Sequence, residues 1–240
     1  MYLIIDIGNT RAKTALFKED KIVDLKHFQL KEFSQVISEI SRKYSIDKAI
    51  ISSVGKLSKS NRSLLDKLFS CIELTYQSKL PFHNNYASKN TLGVDRIALA
   101  SAAVTEFPKD NVLIIDAGTC ITFDFVKASR EYLGGAIAPG LTSRYRSLHD
   151  YTENLPLLAK QLPTHFIGDT TDASIHSGVV NGIVQEIDGI INQYKEAHQK
   201  LTVVLTGGDA EFLSGLLKSS IFARPFFLIE GLYTILKLNK

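Results

Sequence analysis

The chain reads as an α/β protein built from two similar halves, and three observations predict this. The run Leu3-Ile4-Ile5-Asp6-Ile7-Gly8-Asn9-Thr10 returns almost unchanged as Leu113-Ile114-Ile115-Asp116-Ala117-Gly118-Thr119. Each copy is a short apolar run ending in an acid, followed by a glycine and amide or hydroxyl side chains, the pattern of a buried strand closed by a tight turn. Apolar runs of strand length also alternate with stretches of helical spacing through both halves. A duplicated unit follows, with an acid at the tip of a strand in each copy. Such a turn brings backbone N–H groups close to phosphate oxygens, while its carboxylate faces the same space and can hold a cation.

In order, Arg11 to Phe17 alternates as a second strand. The charged turn Lys18-Glu19-Asp20-Lys21 then leads into a third, Ile22 to Phe28. Phe33, Val36, Ile37 and Ile40 fall at helical spacing within Phe33 to Tyr44. Lys48 to Val54 is a buried strand, Asn61 to Phe69 a helix and Ile72 to Tyr76 a short strand. Pro81 to Thr91 is a polar loop, with Asn84, Asn85 and Asn90 around Tyr86. It delivers Gly93-Val94-Asp95-Arg96 to an alanine-rich helix, Ile97 to Phe107. The second half repeats the plan with strands Leu113 to Asp116, Thr119 to Val126 and Tyr132 to Ala138, broken by Pro139-Gly140. A helical segment Leu141 to Leu148, a loop around Pro163, a long helix Ala173 to Tyr194 and a strand Val203 to Thr206 follow. Gly207-Gly208-Asp209-Ala210 opens another helix, and Glu230 to Leu238 is an apolar-faced helical tail. Three strands, helix, strand, helix, strand resembles the ribonuclease-H-like unit of actin, sugar kinases and heat-shock chaperones. That resemblance implies a duplicated actin-like ATPase fold, with halves 1–111 and 112–240 and an active-site cleft between them.

Composition narrows the function. With 240 residues, 45% hydrophobic and 22% charged, the chain is too apolar for disorder and long enough for one large or two compact domains. A net charge of +3 without a basic stripe argues against nucleic acid as a partner. Asp6 interrupts the apolar start before a signal-peptide core forms, and no apolar run reaches the roughly 18–20 residues of a membrane span. Cys71 and Cys120 give neither metal spacing nor a disulfide framework, so a reducing cytoplasm is expected. His149, His165 and His176 also lack ligand spacing.

Asp6-x-Gly8-Asn9-Thr10, Gly93-Val94-Asp95-Arg96, Asp116-x-Gly118-Thr119, Gly134-Gly135-x-Ile137-x-Pro139-Gly140, Thr171-x-x-x-Ile175-x-Ser177-Gly178 and Leu205-Thr206-Gly207-Gly208-Asp209 together resemble the type III pantothenate kinases over the whole chain. The resemblance implies transfer of the ATP γ-phosphoryl group to the primary hydroxyl of pantothenate, the first step toward coenzyme A. It also implies a homodimer that uses Mg²⁺ and a monovalent cation, K⁺ or NH₄⁺. Residue by residue, Asp95 matches the general base, and Tyr86, Gly93, Val94, Arg96 and Thr171 match pantothenate contacts. Asp6, Ile7, Gly8, Asn9, Thr10, Arg11, Ala12, Lys13 and Thr119 match the ATP site. Asp116 matches the monovalent-cation ligand, and Asp6 would hold Mg²⁺ through water. After Tyr86 the chain reads Ala87-Ser88-Lys89 where the family usually shows Asn-Pro.

The chemistry agrees, since phosphoryl transfer needs positioning, charge neutralisation and a group to take the alcohol's proton. Plainer roles compete at each position. Asp6 and Asp116 could be turn acids, Asp95 and Thr171 helix caps, Arg96 half of a surface ion pair, and Gly207-Gly208 a simple turn. Two other functions also remain open at this point: a sugar-type kinase of the same fold, and a non-catalytic accessory factor for transcription.

Overall fold

The computed structural model describes residues 1–8, 11–53 and 57–239. They form two compact units, Met1–Glu106 with Phe226–Lys240, and Phe107–Pro225.

The first unit opens with β1 (Tyr2–Ile7), β2 (Arg11–Lys18) and β3 (Lys21–Gln29), followed by α1 (Phe33–Lys43), β4 (Lys48–Ser53), α2 (Lys59–Leu68) and β5 (Cys71–Glu73). The two-residue β6 (His83–Asn84) precedes α3 (Val94–Glu106). The sheet order is β3-β2-β1-β4-β5, with β1 antiparallel to β2 and parallel to β4. Because side chains alternate across a strand, Leu3, Ile5 and Ile7 face one way and join Leu16, Ile51, Phe33, Ile37, Ile40 and Leu65 in a core under α1 and α2. Ile4 and Asp6 therefore face the other way, the side on which α3 and the C-terminal helix pack.

The second unit repeats the three-strand meander as β7 (Asn111–Ala117), β8 (Cys120–Val126) and β9 (Glu131–Pro139). It continues through α4 (Leu141–Asp150), α5 (Thr171–Ala197), β10 (Leu201–Thr206), α6 (Ala210–Ser214) and β11 (Phe222–Ala223), in strand order β11-β10-β7-β8-β9. Leu113, Ile115, Phe123, Ile183, Ile187 and Leu205 centre its core. Among the described residues no helix is long and apolar enough to cross a membrane.

Three departures from the sequence reading bear on the helices that carry the site. First, α7 (Phe227–Leu238) closes the chain but belongs to the first unit, so the division at 111/112 misplaces the tail. The cause is close packing: Gly231 lets α7 lie on α3, where an added Cβ would stand 1.8 Å from the Ala98 carbonyl oxygen. Tyr233 then stacks on Phe17 at 4.0 Å, and its hydroxyl donates to Asp20 at 2.8 Å. Second, α3 starts at Val94 instead of Ile97, because the Gly93 carbonyl already accepts from the Ile97 N–H at 3.2 Å. Third, α5 extends beyond both expected ends, for Thr170 caps it through the Ala173 N–H at 3.1 Å. Val54, expected to end β4, lies outside the described residues.

Candidate active site

In the first unit, register places Asp6 opposite Lys13 on β2 and beside Ser52 on β4, and paired residues share a face of the sheet. The turn beyond is tight, with the Gly8 N–H donating to the Arg11 carbonyl at 3.0 Å. Ile7 and Ala12 are fully buried core residues, so a ligand here reaches only their backbone. Arg11 is exposed, and Asn9 and Thr10 lie outside the described residues.

Burial pushes the Asp6 carboxyl up to about 6, and Asp95 adds to the rise. Lys13 and the Ser52 hydroxyl pull the other way. Asp6, Lys13 and Asp95 thus share one electrostatic neighbourhood. The ionised acid is held at a cost, fully present above pH 6 and gone below the ordinary value of 3.8. Replacing Asp6 by asparagine is therefore expected to raise Tm at pH 8, by an amount that shrinks as pH falls toward 4. Thermal melts at both pH values check this. A charge kept where it weakens the fold is a mark of function.

Asp95 lies in the first turn of α3, where a carboxylate is favoured by the helix dipole, and its Oδ1 accepts from the Arg96 N–H at 2.8 Å. Gly93 leaves that carboxylate its room, since a Cβ there would sit 2.3 Å from Asp95 Oδ1. Arg96 is buried, and its guanidinium carbon lies 5.6 Å from the centre of the Tyr86 ring, a cation–π contact. The surface ion-pair reading of Arg96 therefore does not hold. Tyr86 is itself fixed by its N–H, which donates to Asn84 Oδ1 at 3.0 Å. Tyr86, Gly93, Val94, Asp95 and Arg96 are thus gathered around the start of α3.

In the second unit Asp116 is the last residue but one of β7, opposite Thr122 on β8 and beside Thr206 on β10. Gly207, at φ 95°, curls against it: a Cβ there would stand 2.4 Å from both the Ala117 carbonyl oxygen and Asp116 Oδ1. Asp209 N–H then donates to the Ala117 carbonyl at 2.9 Å. The glycine turn is built around the acid, so it is more than a simple link between strand and helix. Thr119 is exposed, while its carbonyl accepts from the Gly140 N–H at 3.0 Å and the Ser143 hydroxyl at 2.6 Å. Thr171 begins α5 and is exposed, and the capping role belongs to Thr170.

Several participants escaped the sequence reading. Ser52 and Thr122 are found only through strand register, and Ser143 only through the contact of α4 with the second turn. Lys160 reaches Asp209 at 2.5 Å from a segment without regular structure, which no motif marks. His176 is buried against the Tyr145 hydroxyl at 2.8 Å, and His149 Nδ1 lies 2.8 Å from the Leu155 carbonyl. Burial raises the Cys71 thiol to about 11, which makes it inert. Among the described residues no three His, Cys, Asp or Glu side chains cluster as a metal cage, so a cation here would also need substrate or water oxygens.

The family described as type III pantothenate kinase matches residues 2–193. A type III pantothenate kinase of Christiangramia forsetii is 47% identical over 241 residues, covering 100% of this chain and 99% of that one. Among solved structures, a Baf-family transcriptional activator from Campylobacter jejuni aligns with TM-score 0.64 at 23% identity, over 99% of this chain and 98% of that one. A glucokinase from an Antarctic psychrotroph aligns at 0.53 and 11%, over 99% and 98%. At these identities the structures carry the fold alone, the actin-like ATPase and sugar-kinase fold. The sequence matches carry more: this chain belongs to the type III pantothenate kinase family.

Proposed function

We propose that this chain transfers the γ-phosphoryl group of ATP to the primary hydroxyl of pantothenate, giving 4'-phosphopantothenate, with Asp95 accepting the hydroxyl proton. The observation that carries the reading is Asp95 in the first turn of α3, given room by Gly93 and close enough to Asp6 to raise its carboxyl. Arg96, held by Tyr86, orients the substrate beside it. The Gly8 turn with Lys13 takes the phosphates, and Thr119 is a further phosphate contact. Thr171, whose hydroxyl is not the cap of α5, remains a pantothenate contact.

The two acid-tipped turns differ in a way that suits two different cations. Asp6, Ser52 and Asp95 offer hard oxygen donors beside a lysine, a set that fits Mg²⁺ held largely through water. Bound there, Mg²⁺ supplies neutralisation of phosphate charge. Asp116 has threonines as its register partners, a singly charged oxygen set that fits K⁺ or NH₄⁺. That cation, bound there, supplies positive charge beside the phosphates.

A homodimer is supported by apolar side chains left outside the second unit's core, Tyr151, Phe166 and Ile167, each at least 80% exposed. A cytoplasmic enzyme of small substrates, without nucleic-acid or membrane partners, completes the reading.

A coupled assay of ATP consumption tests it. Turnover is expected to require pantothenate and to rise when K⁺ or NH₄⁺ replaces Na⁺. Turnover dependent on a sugar, or none with any small alcohol, would overturn it. Asp116→Asn is expected to raise the K⁺ concentration for half-activation about 10- to 100-fold, the scale seen when a metal site loses a supporting group. Titration of the variant with KCl at constant ionic strength checks this.

A further inference from the structure

His27 lies on the edge strand β3, opposite Lys13, which in turn lies opposite Asp6. These residues make one row across the sheet face that carries Asp6, and Arg11 and Gln29 pair in the next row on the same face. The second copy supplies an internal control. Its equivalent row runs Asp116, Thr122, Ile137, with no basic group. The fold therefore does not require charge at these places. Lys13 and Arg11 add positive charge beside an imidazole that can take a proton, a set that suits an anion.

The surroundings agree. Arg11, His27, Gln29 and Glu32 line a pocket of about 210 Å³. Glu32 does not neutralise it freely, because its carboxylate accepts from the Gln29 N–H at 2.8 Å. The charged groups facing His27 are Lys13 and Arg11 on β2, Glu32 beyond β3, and Asp6 on the far side of Lys13. Lys26, on β3 itself, pairs with Glu39. His27 is exposed at the surface, and partial desolvation together with Lys13 and Arg11 holds its imidazole below the ordinary 6.5.

We propose that His27 is a third side-chain contact to the nucleotide's phosphates, taking a proton and donating it as a hydrogen bond once a phosphate oxygen lies on Lys13 and Arg11. This rests on the reading that the first turn holds the phosphates. The anion raises the imidazole's proton affinity, so binding takes up a proton and tightens as pH falls.

The test is calorimetric titration with MgADP at pH 6.5 and 8, in buffers of different ionisation heat, on the wild-type protein and on His27→Gln and Lys13→Ala. The wild type is expected to take up a proton on binding at pH 6.5. His27→Gln is expected to lose that uptake and to bind about tenfold more weakly at pH 6.5, the scale of one charge-assisted hydrogen bond, converging with the wild type at pH 8. Unchanged affinity in His27→Gln, or uptake that persists there and so belongs to Asp6, overturns the proposal. Lys13→Ala separates the two readings. If it binds MgADP as well as the wild type, the phosphate reading of the turn fails as well; if it loses binding while His27→Gln does not, only the role of His27 fails.

Discussion

Replacing Asp95 by asparagine is expected to lower kcat about 10²- to 10⁴-fold, the contribution of a positioned general base, with KM for pantothenate changed far less. Stability should hold. Asp95 accepts from the Arg96 N–H at 2.8 Å, and an amide oxygen accepts there equally well. Asparagine also fits the space that Gly93 leaves. Removing the charge relieves Asp6, whose carboxyl Asp95 pushes up, so any change in Tm should be upward. Steady-state kinetics beside a thermal melt separate the outcomes. A large fall in kcat at constant Tm supports proton abstraction, whereas undiminished turnover returns Asp95 to the plain role of a helix-start acid.

Gly231→Ala is expected to be the most damaging small substitution in the first unit. Its Cβ would stand 1.8 Å from the Ala98 carbonyl oxygen and 2.6 Å from the carbon, both backbone atoms that cannot swing aside. α7 must then lift from α3, a helix buried along most of its length from Arg96 to Val104. Overpacking of this kind costs about 3 kcal/mol, a Tm loss on the order of 10 °C for a chain of this size. The effect should reach chemistry too, because α3 carries Asp95 and Arg96 at its start, so kcat should fall in the fraction that remains folded. Gly189→Ala, in the middle of α5 with nothing within 4 Å of an added Cβ, is the control. There alanine should be neutral or stabilising by up to about 1 kcal/mol, through helix propensity. Differential scanning calorimetry of the two variants makes the comparison, and equal melting temperatures would contradict the packing account.

How much of this was legible in the sequence depends on the kind of information each residue carries. The two turns were legible because a strand, an acid and a glycine lie side by side in the chain, and the repeat of the pattern removes chance. β1, β2, β7 and β8 follow from the same local signal. The start of α3 was misplaced by three residues because Val94 is β-branched and Gly93 reads as a breaker; a hydrogen bond from Ile97 decides the matter. The place of α7 was illegible for a deeper reason: Gly231 reads as a weak spot in a helix, and only the approach of Ala98, more than a hundred residues earlier, makes it a seat. The same holds at the site. Asp6, Asp95 and Asp116 stand in motifs, but Ser52, Thr122 and His27 owe their meaning to register across strands. Lys160 owes its meaning to a tertiary ion pair. Thr171 shows the reverse: its sequence context suggests a cap, and the structure gives that task to Thr170.

The central claim is that Asp95 takes the proton of the alcohol while the acid-tipped turn of the same unit holds the phosphates. A crystal structure with pantothenate and a non-hydrolysable ATP analogue, grown with Mg²⁺ and K⁺, tests it most directly. The expected result has a carboxylate oxygen of Asp95 within hydrogen-bonding distance of the primary hydroxyl, and the phosphates on the Gly8 turn. A pantothenate hydroxyl directed away from Asp95, or phosphates bound away from the Gly8 turn, would contradict it.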